Sequence, residues 1–164
     1  MTVQTGIGYD CHPFADGRRL VLGGVELSSA DRGLAGHSDA DVLTHAIIDA
    51  LLGAAGLPDI GHQFPDTDER YRDADSIELL RATMALLADA GLSVVHVDAT
   101  VMLERPKLAP ARDQIREVLA GALGIELAHV SVKATRGEGM GFVGREEGAA
   151  ALAIATLTTE SERE

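Results

Sequence analysis

The sequence predicts an α+β fold in a single domain. Segments in which apolar and mixed residues alternate, as in strands, are interspersed with segments that have apolar residues at helical spacing. The chain has 164 residues, and its 46% hydrophobic content is enough to bury one core. It contains no internal repeat or linker. We therefore expect one domain over residues 1–164, with a frayed acidic end at about 158–164.

Two strands and a helix are predicted in the first third of the chain. Residues 3–10 and 19–27 have the pattern of strands, and residues 39–55 have the pattern of a helix. Ser38 and Asp41 stand three positions apart, as in a capping box, which places the helix start near residue 39.

Helices and strands also alternate in the rest of the chain, after a long loop rich in Asp, Gly and Pro. A loop of that length in a compact domain is usually functional or disordered. The tail at 146–157 fits both a helix, by its alanines, and a strand, by its alternation; we favour the strand. The predicted segments are the loop 56–75, helices 76–90 and 110–122, and strands 93–104 and 129–135.

Composition excludes several classes of partner. The formal net charge of −12 argues against nucleic acid and anionic membranes, because both would be repelled over most of the surface. The single cysteine, Cys11, excludes an internal disulfide and suits a reducing compartment. No signal peptide or long apolar stretch is present, so we expect a soluble, cytoplasmic protein.

The stretch GYDCHPF places Asp10 and His12 two positions apart at the end of a predicted strand. Side chains at this spacing project from the same face of a strand, so the two could bind one object together. Cys11 lies between them and is expected to face the opposite way, inward. The alternative is an Asx-type turn with a surface histidine.

The predicted helix 39–55 carries an unusual polar stripe. Asp41, His45 and Asp49 follow one another at four-residue steps, and no Lys, Arg, Glu or Gln occurs in the helix. A solvated face would normally contain such residues, so another segment or a ligand is expected to cover the stripe. His37 lies just before the helix start, where backbone N–H groups favour an anion.

Asp10, His12 and His45 together would form a set of two nitrogens and one oxygen. Catalytic zinc uses such sets and keeps its fourth position open. Asp41 and Asp49 lie close enough in sequence to orient His45. The alternative is an ordinary buried histidine beside a capping aspartate.

Two further stretches contain candidate phosphate or metal contacts. GHQFPDTD places Asp66 and Asp68 around a turn, which could equally be a solvated turn. VKATRGEGMGFVGREEG contains Arg136 and Glu138 in a glycine-rich loop whose backbone N–H groups could surround phosphates. A glycine-rich hairpin without a ligand is the alternative.

In order along the chain, these stretches resemble the 2-C-methyl-D-erythritol 2,4-cyclodiphosphate synthase family of the non-mevalonate isoprenoid pathway. The resemblance covers residues from about 5 to 157. The motifs that carry it are G-x-D-x-H at 8–12, GHSDADVLTHAIIDALLGAAGLPDIG at 36–61, FPDTD at 64–68, RPK at 105–107, and VKAT followed by GF.GR.EG.

The resemblance implies a reaction and two metals. The family converts 4-diphosphocytidyl-2-C-methylerythritol 2-phosphate to the cyclic diphosphate and CMP, by attack of the 2-phosphate on the β-phosphate. Zn²⁺ would be held by Asp10, His12 and His45, and Mg²⁺ or Mn²⁺ by Glu138. The chain would thus be a single catalytic domain, a phosphorus–oxygen lyase.

It also implies roles for individual residues. His37, Arg136 and Glu138 stand at positions that are catalytic in the family, with His37 and Ser38 near the 2-phosphate. The segment 59–68 would line the erythritol pocket, and 103–109 would receive cytidine and its phosphates. The implied substrate-binding residues are Ser38, Asp49, Asp59, Ile60, Gly61, Phe64, Pro65, Asp66, Thr67, Asp68, Leu103, Pro106, Lys107, Leu108, Ala109, Thr135, Phe142 and Arg145.

The family fold implies a four-stranded mixed sheet with helices packed on one face, assembled as a homotrimer. Neighbouring subunits would share each active site. Phe142 and Arg145 match residues of the trimer's central cavity, where isoprenoid diphosphates can bind.

One position departs from the family pattern. The family usually has Thr-Thr-Thr-Glu where this chain has Thr135, Arg136, Gly137 and Glu138. Arg136 could point inward and bind the diphosphate, or turn outward to one of the many carboxylates, leaving Thr135 and backbone N–H groups at the phosphates.

Two other functions remain open from the sequence. A zinc-dependent phosphohydrolase on the same scaffold would use a metal-bound water as its nucleophile. A non-catalytic trimer would bind isoprenoid diphosphates through Phe142 and Arg145.

Overall fold

Within the residues that the computed structural model describes, 2–159, the chain forms a mixed five-stranded sheet and a separate two-stranded hairpin. The sheet order is β4-β1-β7-β5-β6; β5 and β6 are parallel and the other pairs are antiparallel. The strands are β1 (Val3–Ala15), β2 (Val21–Leu22), β3 (Val25–Glu26), β4 (Gly33–Leu34), β5 (Leu92–Met102), β6 (Val130–Thr135) and β7 (Gly148–Thr159). The helices are α1 (Val42–Ala54), α2 (Ile60–Gln63), α3 (Ser76–Asp89), α4 (Arg112–Leu123) and α5 (Gly141–Gly144), with 3₁₀ turns at Glu69–Tyr71 and Leu127–His129.

The α+β class is confirmed, but the sheet differs from the expected four strands. The fifth strand is the two-residue β4, which pairs with the end of β1. The single strand predicted over 19–27 is wrong: this segment forms the hairpin of β2 and β3. Gly23 and Gly24, with φ of 58° and 73°, reverse the chain in the middle of that segment.

The other predicted segments are confirmed with shifted ends. α1 begins at Val42, and its N-cap is Asp41 rather than a residue near Ser38, because the Asp41 side chain accepts from the Thr44 N–H. The predicted loop 56–75 contains α2 and a 3₁₀ turn. Within residues 2–159, no helix has the length and hydropathy needed to cross a bilayer.

The strand favoured for the tail is confirmed as β7, which pairs with β1 along its length. β7 continues to Thr159, so the first two residues of the end predicted to fray are paired, Thr158 with β1 and Thr159 with β5. The remainder of that predicted tail lies outside the described residues.

Close packing of α1 on β1 and β7 explains the small residues of both strands. A Cβ at Gly8 would lie 2.0 Å from the Ala46 carbonyl oxygen, and one at Gly6 would lie 2.1 Å from that of Ala50. The β7 residues that face the helix are buried alanines, so the alanines serve packing and not helix formation. They are Ala149, Ala151, Ala153 and Ala155.

The opposite face of the sheet is apolar and exposed. Ile7 of β1 pairs with Ile154 of β7, and Tyr9 pairs with Leu152. These four side chains are between 38% and 65% exposed. Cys11 lies on this same face and is exposed, so the expectation that it points inward is wrong; α1 covers the alternate residues instead.

Candidate metal centre and adjoining cavities

Asp10, His12 and His45 come together where β1 passes the first turn of α1. Asp10 Oδ2 lies 3.0 Å from His12 Nε2 and 3.1 Å from His45 Nδ1. All three candidate ligand atoms lie within 4.8 Å of one another. Strand spacing brings Asp10 and His12 to one face, as predicted, and helix packing adds His45.

The geometry of this group suits a small metal ion. Metal–ligand bonds of about 2.0–2.1 Å in a tetrahedron place ligand atoms roughly 3.3 Å apart, close to the contacts seen here. His12 Nε2 is buried and, among the described residues, makes no contact with hydrogen-bond geometry. A neutral His12 that carries its proton on Nδ1 would present the lone pair of Nε2 to a metal. The residues present thus fit a site for a metal ion.

The pKa values of Asp10 and His45 depend on their burial and on the contacts between the carboxylate and the imidazoles. Burial opposes ionisation of Asp10, but the contacts with His12 and His45 outweigh it and lower the Asp10 pKa to about 2. Burial likewise disfavours a charged His45, yet Asp10 outweighs it and raises the His45 pKa. Asp10 is therefore a carboxylate at neutral pH, as a metal ligand must be.

Asp41 and Asp49 do not orient His45, contrary to the sequence-based expectation. Asp41 is completely buried and accepts from the backbone N–H groups of Gly23 and Gly24, at 2.9 and 2.8 Å, as well as from Thr44. Asp49 accepts from the Ile60 N–H at 2.8 Å. Both carboxylates are occupied by backbone groups, so they fix loops around the helix.

The metal-ligand group opens into a cavity of about 350 Å³. Besides the three ligands it brings together many predicted residues from the loops before α1 and after it. Tyr71 and Leu79 also line this cavity but were not predicted from the sequence. Tyr71 packs edge-to-face on Phe64, with ring centroids 5.4 Å apart. The predicted residues that line this cavity are His37, Ser38, Ile60, Gly61, Phe64 and Asp66.

Other predicted residues of the 59–68 segment shape the loop without lining the cavity. Asp59 caps α2 by accepting from the His62 N–H, and Asp68 caps the following 3₁₀ turn. Pro65 and Thr67 belong to the turn between them, in which the Asp68 N–H donates to the Pro65 carbonyl.

A second cavity, of about 560 Å³, lies at the end of the sheet. It contains Pro106, Lys107 and Arg136 of the predicted phosphate and cytidine region. Phe14 and Arg32 also line it; the Arg32 guanidinium lies 4.8 Å from the Phe14 ring centroid. Neither residue belongs to a periodic pattern from which its place could have been predicted.

Arg136 is paired with a nearly buried carboxylate that the sequence analysis missed. Its Nη2 donates to Glu104 Oε1 at 2.9 Å, and the Gly137 N–H donates to Glu104 Oε2 at 2.8 Å. Glu104 is only 8% exposed. Arg136 thus pairs with a carboxylate while it also lines the second cavity, and its catalytic role stays a prediction. Glu138 follows, exposed, with φ of 52°.

The remaining residues predicted to contact substrate lie in different parts of the fold. The side chains of Leu103 and Leu108 lie in the hydrophobic core, each 3% exposed, which leaves only their backbone for a ligand. Ala109 and Thr135 are exposed. Phe142 lies in α5, and the Arg145 guanidinium just after it donates to the Glu147 carboxylate.

The chain is similar to known proteins both in sequence and in structure. A 2-C-methyl-D-erythritol 2,4-cyclodiphosphate synthase from Rubrobacter xylanophilus is 59% identical, over 94% of each chain. A bifunctional enzyme IspD/IspF from Anaeromyxobacter dehalogenans is 61% identical over 94% of this chain, which spans only 40% of that relative's length. A solved 2C-methyl-D-erythritol-2,4-cyclodiphosphate synthase in a CDP-bound form is 34% identical, with a TM-score of 0.87 over 94% of this chain and all of that one. The bifunctional IspDF of Campylobacter jejuni is 40% identical, with a TM-score of 0.91, over 95% of this chain and 42% of that one.

Fold and site together define the class: an α+β enzyme in which a strand and a helix present a metal-binding group at the mouth of a cavity. The family model described as YgbB family matches residues 3–158. The chain therefore belongs to the YgbB family, that of the cyclodiphosphate synthases of isoprenoid biosynthesis.

Proposed function

We propose that the protein converts 4-diphosphocytidyl-2-C-methyl-D-erythritol 2-phosphate to 2-C-methyl-D-erythritol 2,4-cyclodiphosphate and CMP, as a phosphorus–oxygen lyase. The observation that carries the proposal is the Asp10, His12 and His45 group beside a cavity, in a chain of this family. A protein with a net charge of −12 needs added positive charge to hold a substrate with three phosphates.

The reaction requires the enzyme to hold the substrate in a bent conformation, and it does not require a strong general base. Nucleophile and electrophile are phosphates of one molecule, so positioning and charge neutralisation lower the barrier. Asp10, His12 and His45 would hold Zn²⁺, which when bound supplies a Lewis acid to a phosphate oxygen. His37 and Ser38, on the wall of the same cavity, would hold the attacking 2-phosphate.

We propose that Glu138 holds Mg²⁺ or Mn²⁺ near the leaving phosphate. Its exposed carboxylate and hard oxygen atoms suit such ions. The contacts of Glu104 with Arg136 and Gly137 support this role, because they fix the backbone just before Glu138. Thr135 and Lys107 would contact the diphosphate, and the backbone around Pro106 would contact cytidine.

A homotrimer with shared sites is part of the proposal. The two cavities share no lining residue in the described part of the chain, so the predicted contacts divide into a metal half and a cytidine half. Assembly would bring the halves of neighbouring subunits together. The exposed apolar face of the sheet supports assembly, since a monomer would leave it in water.

One finer proposal follows from the same family pattern. Phe142, 38% exposed, and Arg145 would line a central cavity that accepts an isoprenoid diphosphate. A cytoplasmic location stays a prediction from the sequence.

Product analysis tests the proposed reaction. We expect the purified protein with zinc and magnesium to release CMP and a cyclic diphosphate whose mass contains no added water. A product that has gained one water would instead indicate a phosphohydrolase. Absence of turnover, with isoprenoid diphosphate still bound, would leave only the binding function.

A further inference from the structure

Ser76 and Asp39 lie behind His45, on the side of the ring away from the candidate metal ligands. His45 Nδ1 contacts Asp10, whereas Nε2 lies 2.8 Å from Ser76 Oγ. Ser76 is completely buried at the start of α3. Its hydroxyl donates to Asp39 Oδ1, and its backbone N–H donates to Asp39 Oδ2 at 3.0 Å.

Counting protons fixes the direction of these hydrogen bonds. A serine hydroxyl has one hydrogen, and here that hydrogen goes to Asp39, an acceptor without a hydrogen of its own when ionised. Ser76 Oγ can then only accept from His45. The acceptor role requires a hydrogen on Nε2, which leaves the lone pair of a neutral ring on Nδ1, the atom that faces Asp10 and His12.

We propose that Ser76 and Asp39 are positioning residues that keep the His45 proton on Nε2 and so present Nδ1 to the metal. The inference rests on the proposed zinc site. Histidine ligands commonly donate their second N–H to a carboxylate or another acceptor, and this contact fixes both tautomer and ring orientation. Here the carboxylate acts through the serine hydroxyl.

Nearby groups show why this contact is needed. Asp10 accepts hydrogen bonds only, so by itself it would favour a proton on Nδ1 in a neutral ring. Ser38 Oγ, which accepts from the Ala40 N–H and keeps a second lone pair, also lies near Nε2, but at the longer distance of 3.2 Å. Ser76 is the shorter contact, and Asp39 fixes its hydroxyl.

Zinc affinity gives the first test. Ser76→Ala removes the acceptor with little change in volume, and we expect zinc binding, measured by chelator competition, to weaken about tenfold or more. Thr83→Val is the matched control: it removes another completely buried hydroxyl of α3, one that donates to the Leu79 carbonyl. An unchanged zinc affinity in Ser76→Ala, or an equal loss in Thr83→Val, would overturn the proposal.

The tautomer of His45 gives the second test, which needs no variant and no metal. We expect long-range ¹H–¹⁵N NMR of the metal-free wild type, recorded at a pH at which the His45 ring is neutral, to show its single proton on Nε2. A neutral ring with its proton on Nδ1 would contradict the role of Ser76 and Asp39. Wild-type protein that binds no zinc would count against the proposed metal centre, while the tautomer would still decide this inference.

Discussion

His45 is the side chain on which the candidate metal centre most depends, because it is the ligand that α1 contributes and is only 9% exposed. Its ring lies between Asp10 on one side and Ser76 on the other. Loss of the imidazole would leave two ligands from one strand, too few for the proposed zinc site.

His45→Ala is therefore expected to purify without stoichiometric zinc and to lose activity. Elemental analysis after dialysis measures the metal. His96→Ala is a suitable control, since it removes an imidazole of β5 that lines neither cavity. Zinc that remained stoichiometric in His45→Ala would refute the ligand assignment.

Glu138→Gln is expected to leave zinc in place and to lower the rate, because it removes one charge from the proposed second metal site. Excess Mg²⁺ or Mn²⁺ should restore part of the activity, as mass action refills a weakened site. Steady-state rates across a metal titration measure this. An unchanged rate at low metal would eliminate the second-metal role.

Arg136→Thr tests the position at which the chain leaves its family pattern. The guanidinium already forms a charge-assisted hydrogen bond with the nearly buried Glu104. We therefore expect KM at low salt to change by less than about threefold, an effect below about 0.7 kcal/mol. A large rise in KM would show that Arg136 instead binds the diphosphate, since uniform binding of substrate appears in KM.

At the scale of elements, the contact between β1 and α1 creates the site. Gly8 lies two residues before Asp10, and Ala46 follows His45, so the closest approach of strand and helix is beside the metal ligands. A larger residue in the strand would force the two elements apart and separate the ligands that each contributes.

Gly8→Ala is expected to destabilise the protein by about 3 kcal/mol, because its Cβ would lie 2.0 Å from the Ala46 carbonyl oxygen. Gly53→Ala is the matched control in α1, where a Cβ would have its nearest contact at 3.8 Å, with the Ile7 carbonyl oxygen. There alanine should be neutral or stabilise the helix. Urea denaturation measures both, and equal stability of the two variants would contradict the packing argument.

At the scale of the whole molecule, the two sides of the sheet have different environments. The helices cover one side with the core, and the other presents apolar side chains such as Ile7 and Ile154 to solvent. The metal and cytidine halves of the predicted site also line separate cavities. Both observations support the proposed assembly with shared sites.

Ile7→Asp is expected to convert a trimer to monomers and to abolish most activity, because it buries a charge in the proposed interface. Ile7 is 65% exposed in the chain, so the monomer itself should remain folded. Leu127→Asp, at a position 39% exposed outside the sheet, is the control. Sedimentation of the wild type as a fully active monomer would rule out the shared site.

By itself the sequence determined the α+β class, most helices and strands, and the three candidate ligands, because these follow from local spacing. Residues two apart on a strand share a face, and His45 stands out on a helix without long charged side chains. From the sequence, the alanines of β7 were compatible with either a helix or a strand. Their packing against α1 explains why the segment is a strand.

Tertiary structure alone decided which groups surround the ligands. Asp41 and Asp49 are near His45 in sequence, yet loop backbone occupies their carboxylates, while Ser76, 31 residues away, reaches the ring. Glu104 pairs with Arg136 across 32 residues. Periodicity reports which face a residue occupies within its own element, but hydrogen-bond partners depend on how elements meet, and this information is absent from local sequence.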